Sequence, residues 1–71
     1  MKLSLAIIGA NLQKARKMKR YTQEEVAKGA NLTTNYYAML ERGESIASLE
    51  TLYAIFNVLE VKASDILPEN A

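Results

Sequence analysis

The stretch NLTTNYYAMLERG, Asn31 to Gly43, holds the side chains best placed for specific contact chemistry in this chain. Read at 100° per residue, Leu32, Tyr37 and Leu40 gather on one side, and Thr34, Asn35, Ala38, Met39 and Arg42 gather on the other. An outward helix face is usually covered by Lys and Glu, whereas this one is short, nearly uncharged and partly hydrogen-bonding. Amide and hydroxyl groups of this kind donate and accept hydrogen bonds. Catalysis is not expected: the chain has no His, no Cys and no phosphate-cradling Gly-rich loop, and its carboxylates are dispersed as caps and surface charges. No metal or cofactor is expected either. What the face contacts depends on how the rest of the chain holds it.

Seventy-one residues, 49% of them hydrophobic, make one small domain near the lower limit for a single unstapled core. Its patterning predicts five helices and no strands. Residues of about 5–19 carry Leu5, Ile8, Leu12 and Ala15 at helical spacing, with Lys and Arg crowding the last turn to complement the helix dipole. Thr22-Gln23-Glu24-Glu25 has the form of a capping box and opens a second helix, about 22–28. Gly29-Ala30-Asn31 then supplies a tight turn, since Asn tolerates the left-handed conformation. Thr33 caps a third helix, about 33–42, which Gly43 stops. Ser48 caps a fourth, about 48–59, whose stripe Leu49, Leu52, Ile55, Phe56 and Leu59 belongs to the core. Ser64-Asp65 caps a last turn, about 64–67, with Ile66 and Leu67 inward and Pro68 limiting its extension. The tail Glu69-Asn70-Ala71 is expected to fray, and no repeat or linker divides the chain.

The net charge of +1 conceals an asymmetry. Residues 1–20 hold six bases and no acid, a local +6, and the remainder holds three bases against eight acids, a local −5. Such a distribution is consistent with attraction to a polyanion and equally with a solvated basic helix end. No apolar run is long enough to cross a bilayer, and the first residues lack a convincing signal-peptide core, so a cytoplasmic location is expected.

Two short helices joined by a tight turn describe a helix-turn-helix, which a generic small helical bundle also satisfies. YTQEEVA at 21–27, LTTNYYAMLERG at 32–43 and SLETLYAIFNVLEV at 48–61, in this order and spacing, are more specific. They resemble the phage-repressor/Cro-like, or XRE-type, helix-turn-helix family of bacterial and phage transcription regulators, from about Ile8 to Leu67. The resemblance implies an all-α, compact five-helix, lambda-repressor-like domain. It also implies binding of double-stranded operator DNA as a homodimer, with the third helix in the major groove.

In such a docking Thr34 and Asn35, in the first turn of the third helix, approach base edges, and Ala38 and Met39 one turn on can meet a thymine methyl. Asn can bond bidentately to adenine, and a role in capping or solvating its own helix is the plainer alternative. Met39 is open to the alternative of an exposed hydrophobe or a protein contact. Gln23, Tyr36, Arg42, Gly43 and Ser45 are candidate phosphate contacts, with Lys14, Lys17 and Arg20 supplying longer-range attraction. A tolerated polar residue and rim packing are the bland readings of Gln23 and Tyr36, respectively. Arg16 and Glu41 carry the family's ion pair between the first helix and the end of the third, a scaffold role.

Several positions depart from the family. Thr34 and Met39 stand where a base is common, and the loop Gly43 to Ala47 lacks the usual bases and Pro, so electrostatic affinity is expected to be modest. Asn31 and Glu60 stand where Gly is favoured, and Glu60 at positive φ costs about 1 kcal/mol. Two half-sites then matter more, with recognition helices about 34 Å apart on a roughly palindromic operator. Candidate dimer residues are Val58, Val61, Ile66, Tyr53 and Phe56, with Leu3, Leu5 and Ile7 as a second option. The rival reading keeps the fold and acts through a protein partner such as a toxin or polymerase; whether RNA polymerase is contacted is left open.

Overall fold

A computed structural model describes residues 4–68. Five helices follow one another: α1 (Leu5–Met18), α2 (Gln23–Gly29), α3 (Thr34–Glu41), α4 (Leu49–Leu59) and α5 (Ala63–Ile66). Their starts are set by short side chains that satisfy otherwise orphaned amides. Ser4 Oγ accepts from the Ile7 amide at 3.2 Å, Thr33 Oγ1 from Tyr36 at 3.1 Å and Ser48 Oγ from Thr51 at 3.1 Å. Thr22 and Glu25 form the full reciprocal box, with bonds of 3.0 and 2.8 Å. The last helix differs from expectation. It is capped from Lys62, whose amide donates to Asp65 Oδ2 at 2.9 Å, so Asp65 reaches back from inside the helix and Ser64 does not cap it.

Helices α1 to α4 all end the same way. After each, one residue in the left-handed region and its successor donate their amides to the preceding turn: Arg20, Asn31, Gly43 and Glu60, at φ of 61°, 61°, 73° and 58°. Only one of the four is a glycine. Asn31 and Glu60 occupy the conformation expected of them, and Arg20 joins them without a cue in its residue type. Gly43 has a second reason to be glycine, because a Cβ there would lie 3.0 Å from the Ala6 amide nitrogen.

The core gathers under α3. Leu12, Val26, Tyr37, Ile55, Phe56, Leu59 and Ile66 are its largest fully buried side chains, drawn from all five helices. Helix α1 crosses the end of α3 so closely that a Cβ on Gly9 would collide with the carbonyl oxygens of Leu40 and Glu41. Asn11 Nδ2 donates to the Ile66 carbonyl at 2.8 Å and fastens α5 to α1. Two expected dimer residues are therefore spent inside: Phe56 and Ile66 are buried, because α5 folds back under α1 and α4 turns Phe56 inward, where the Tyr53 ring meets it edge-on at 5.6 Å. Val58 and Val61 pack half-buried against the core and Tyr53 stays 50% exposed. Leu49 is the converse correction. It leaves the core stripe, 64% exposed, since the first residue of α4 projects beyond its packing partners. Leu5 is half-buried and Ile7 48% exposed, while Leu3 and the tail 69–71 lie outside the described residues. No described helix is long and apolar enough to cross a membrane.

Candidate nucleic-acid interface

Helix α3 presents its first turn outward. Thr33, Thr34 and Asn35 are exposed, and Met39, one turn on, is partly exposed, with Asn35 Nδ2 4.0 Å from its sulfur. Ala38 is not available as expected: it is buried, 8% exposed, because an alanine methyl rises too little above the backbone to stay accessible between longer neighbours one turn away. Thr34, Asn35 and Met39 thus make the outer face, without a charge among them.

A buried polar network holds the far end of the helix. Arg16 donates Nε to Glu41 Oε2 at 2.7 Å and Nη2 to Oε1 at 3.1 Å, a fork that fixes both position and angle. The same guanidinium donates Nη1 to the Tyr21 carbonyl at 2.9 Å, and Gln23 Nε2 donates to Glu41 Oε1 at 2.9 Å. The expected scaffold pair is present, with side chains only 11% and 2% exposed. Burial pushes the Glu41 carboxyl up, but the bonds from Arg16 and Gln23 outweigh it, and the group ends below its usual range. Burial holds the Tyr37 hydroxyl well above the ordinary phenol range; this atom has no hydrogen-bond partner among the described residues.

The candidate backbone contacts are more constrained than their residue types foretold. Gln23 is a member of the network, so one amide proton is engaged and its second proton and its backbone amide are what remain for a ligand. The Tyr36 hydroxyl donates to the Ile46 carbonyl at 3.3 Å and ties α3 to the following loop. Arg42 pairs with Glu44 at 3.1 Å, both side chains about half-exposed. Glu44 is held there because its amide donates to the Met39 carbonyl at 2.9 Å as part of the α3 ending. Gly43 and Ser45 are partly exposed in the same loop. An apolar surface adjoins it: Ile46, Leu49 and Tyr53 are exposed, and Leu5, Ile8, Leu12, Leu40, Leu52 and Leu67 floor a partly open pocket of about 260 Å³ beneath Ile46 and Leu49. Composition alone hid this surface, since Leu49 fitted the core stripe and Ile46 fell in a loop.

Known proteins share this fold. A helix-turn-helix family model matches residues 12–66. The immunity repressor protein of Bacillus phage phi105 is 36% identical over 62 residues, 87% of this chain; the chain spans 43% of that relative's length. Among solved structures, the restriction-modification controller protein C.AhdI from Aeromonas hydrophila superposes with a TM-score of 0.84 at 26% identity, over 87% of this chain and 94% of that one. The clp gene regulator ClgR from C. glutamicum gives 0.84 at 29% identity, over 93% and 86%. The controller protein C.Esp1396I, solved bound to a 25 base pair operator site, gives 0.78 at 28% identity, over 90% and 84%. With five helices, no strand among the described residues and a family match over most of its length, the chain belongs to the XRE-type helix-turn-helix family of DNA-binding transcription regulators.

Proposed function

We propose that this protein is a sequence-specific transcription regulator that binds a roughly palindromic operator as a homodimer, with α3 in the major groove. The observation that carries the reading is a clamped helix with an open, uncharged first turn: Arg16 and Gln23 fix Glu41 at one end while Thr34 and Asn35 stand exposed at the other. Such a face fits the floor of the groove, where Asn35 reads an adenine edge, Thr34 offers a hydroxyl or methyl and Met39 meets a thymine methyl. Arg42, Tyr36, the second amide proton of Gln23 and the loop amides of Gly43 and Ser45 serve the phosphates. The C.Esp1396I complex supports the choice of DNA as partner. The exposed apolar residues Ile46, Leu49, Tyr53 and Ile7 supply the subunit contact, and the regulator acts in the cytoplasm.

Selection of bound sequences from a random duplex pool tests this reading. The expected product is an inverted repeat with half-sites about one helical turn apart, bound with steep salt dependence. A pool that returns no preferred sequence, together with salt-independent retention, excludes it in favour of a protein-interaction module.

A further inference from the structure

Arg20 is held in a conformation that L side chains rarely adopt, φ 61°, at the turn between α1 and α2. The turn leaves it no alternative: the Arg20 amide donates to the Lys17 carbonyl at 3.0 Å and the Tyr21 amide to the Arg16 carbonyl at 3.2 Å. Glycine meets this requirement without strain. Strain retained at such a position points to a role outside the fold, provided that the side chain returns nothing within it. Arg20 returns nothing among the described residues. Arg16 pairs with Glu41, Lys19 with Glu60 and, at the end of α3, Arg42 with Glu44, whereas among the described residues the Arg20 guanidinium is exposed and makes no ion pair or hydrogen bond; Lys17 is equally free but sits on regular helix without strain. Glu60 is strained in the same way but has Lys19, and Asn31 is of a type that tolerates the conformation.

The turn that carries Arg20 leads directly into the start of α2 and is tied to α3. Arg16 ties the Tyr21 carbonyl and Glu41 together with one guanidinium, and Gln23 bonds the same carboxylate. The Arg20 turn is thereby fixed to the base of α3 by the network that orients that helix. We infer that Arg20 is a phosphate contact of the bound duplex, its strained backbone aiming a fork-shaped cation at the strand beside the α2 start. The inference rests on the operator-binding reading.

Stability and affinity then move in opposite directions. Arg20→Gly and Arg20→Asn should melt a few degrees higher than the wild type, as relief of left-handed strain in a domain of this size predicts. Both should bind a random-sequence duplex and the selected operator more weakly by the same factor. In each case the plot of log affinity against log salt should be shallower by about 0.9. That change is about 3.5-fold in relative affinity between roughly 200 and roughly 50 mM salt. Arg20→Lys, which keeps charge and strain, should keep most of the slope. An Arg20→Gly protein with the wild-type slope and affinity overturns the inference while the operator reading stands; a wild type without salt-dependent DNA binding removes both.

Discussion

Glu41 concentrates the consequences at the scale of single residues. Its carboxylate receives the Arg16 fork and the Gln23 amide while almost wholly buried, so losing one partner leaves an uncompensated charge. Arg16→Ala should therefore cost about 3 kcal/mol in urea unfolding at neutral pH. Because the folded carboxyl lies below its ordinary value of 4.5, its contribution is complete above that value and is lost as pH falls through the lowered folded one. Stability should accordingly decline in acid below about pH 4.5 in the wild type and more gently in Glu41→Gln, compared by unfolding series across that range. The outward residues carry a different expectation. Asn35→Ala should relax preference at one position per half-site, a loss of about 1–3 kcal/mol of discrimination, as read by repeating the sequence selection. Gln23→Ala should weaken all sequences alike and also lower stability by about 1 kcal/mol, because its amide serves the network as well.

At the scale of elements, what the sequence made legible and what it hid separate by mechanism. Thr22, Thr33 and Ser48 announce helix starts because a hydroxyl at that offset satisfies a local amide, and each does so here. Gly43 announces an ending for an equally local reason. Arg20 does not, because its conformation is imposed by α1 and α2 having to meet, and nothing in an arginine encodes that. Lys62 hides a cap for the opposite reason: the capping group belongs to Asp65, three residues later. On α3, 100° arithmetic set Thr34 and Asn35 outward, where they are exposed, and Met39, which is partly so, but overlooked side-chain height, which removes Ala38. The engagement of Gln23 with Glu41 depends on a contact between elements, and that of Arg42 with Glu44 on the turn that ends α3, both beyond the reach of periodicity. Two substitutions test the element packing by denaturant midpoints. Gly9→Ala should destabilise by about 1–3 kcal/mol by forcing α1 off the end of α3, and Glu60→Gly should stabilise by less than about 1 kcal/mol, the relief of left-handed strain being partly offset by loss of the exposed Lys19 pair.

The whole molecule, with extents of 33 × 20 × 19 Å, carries one α3, so a site with two half-sites about 34 Å apart requires two copies. Its charge is asymmetric: six bases and no acid in residues 1–20, acids in excess elsewhere, and Arg42 partly neutralised by Glu44. On the operator-binding reading, a single copy would have little general affinity to spare, and specificity would fall to the short uncharged turn of α3 held firmly by the Arg16–Glu41 network. Backbone amide chemical-shift mapping during titration with the selected duplex addresses that turn directly. The expected result is that the largest perturbations fall on Thr34, Asn35, Met39 and the loop from Arg42 to Ser45, with α4 changing only where subunits meet. Perturbations confined to α4 and α5, with the first turn of α3 unmoved at saturating duplex, contradict the presentation of α3 to the groove.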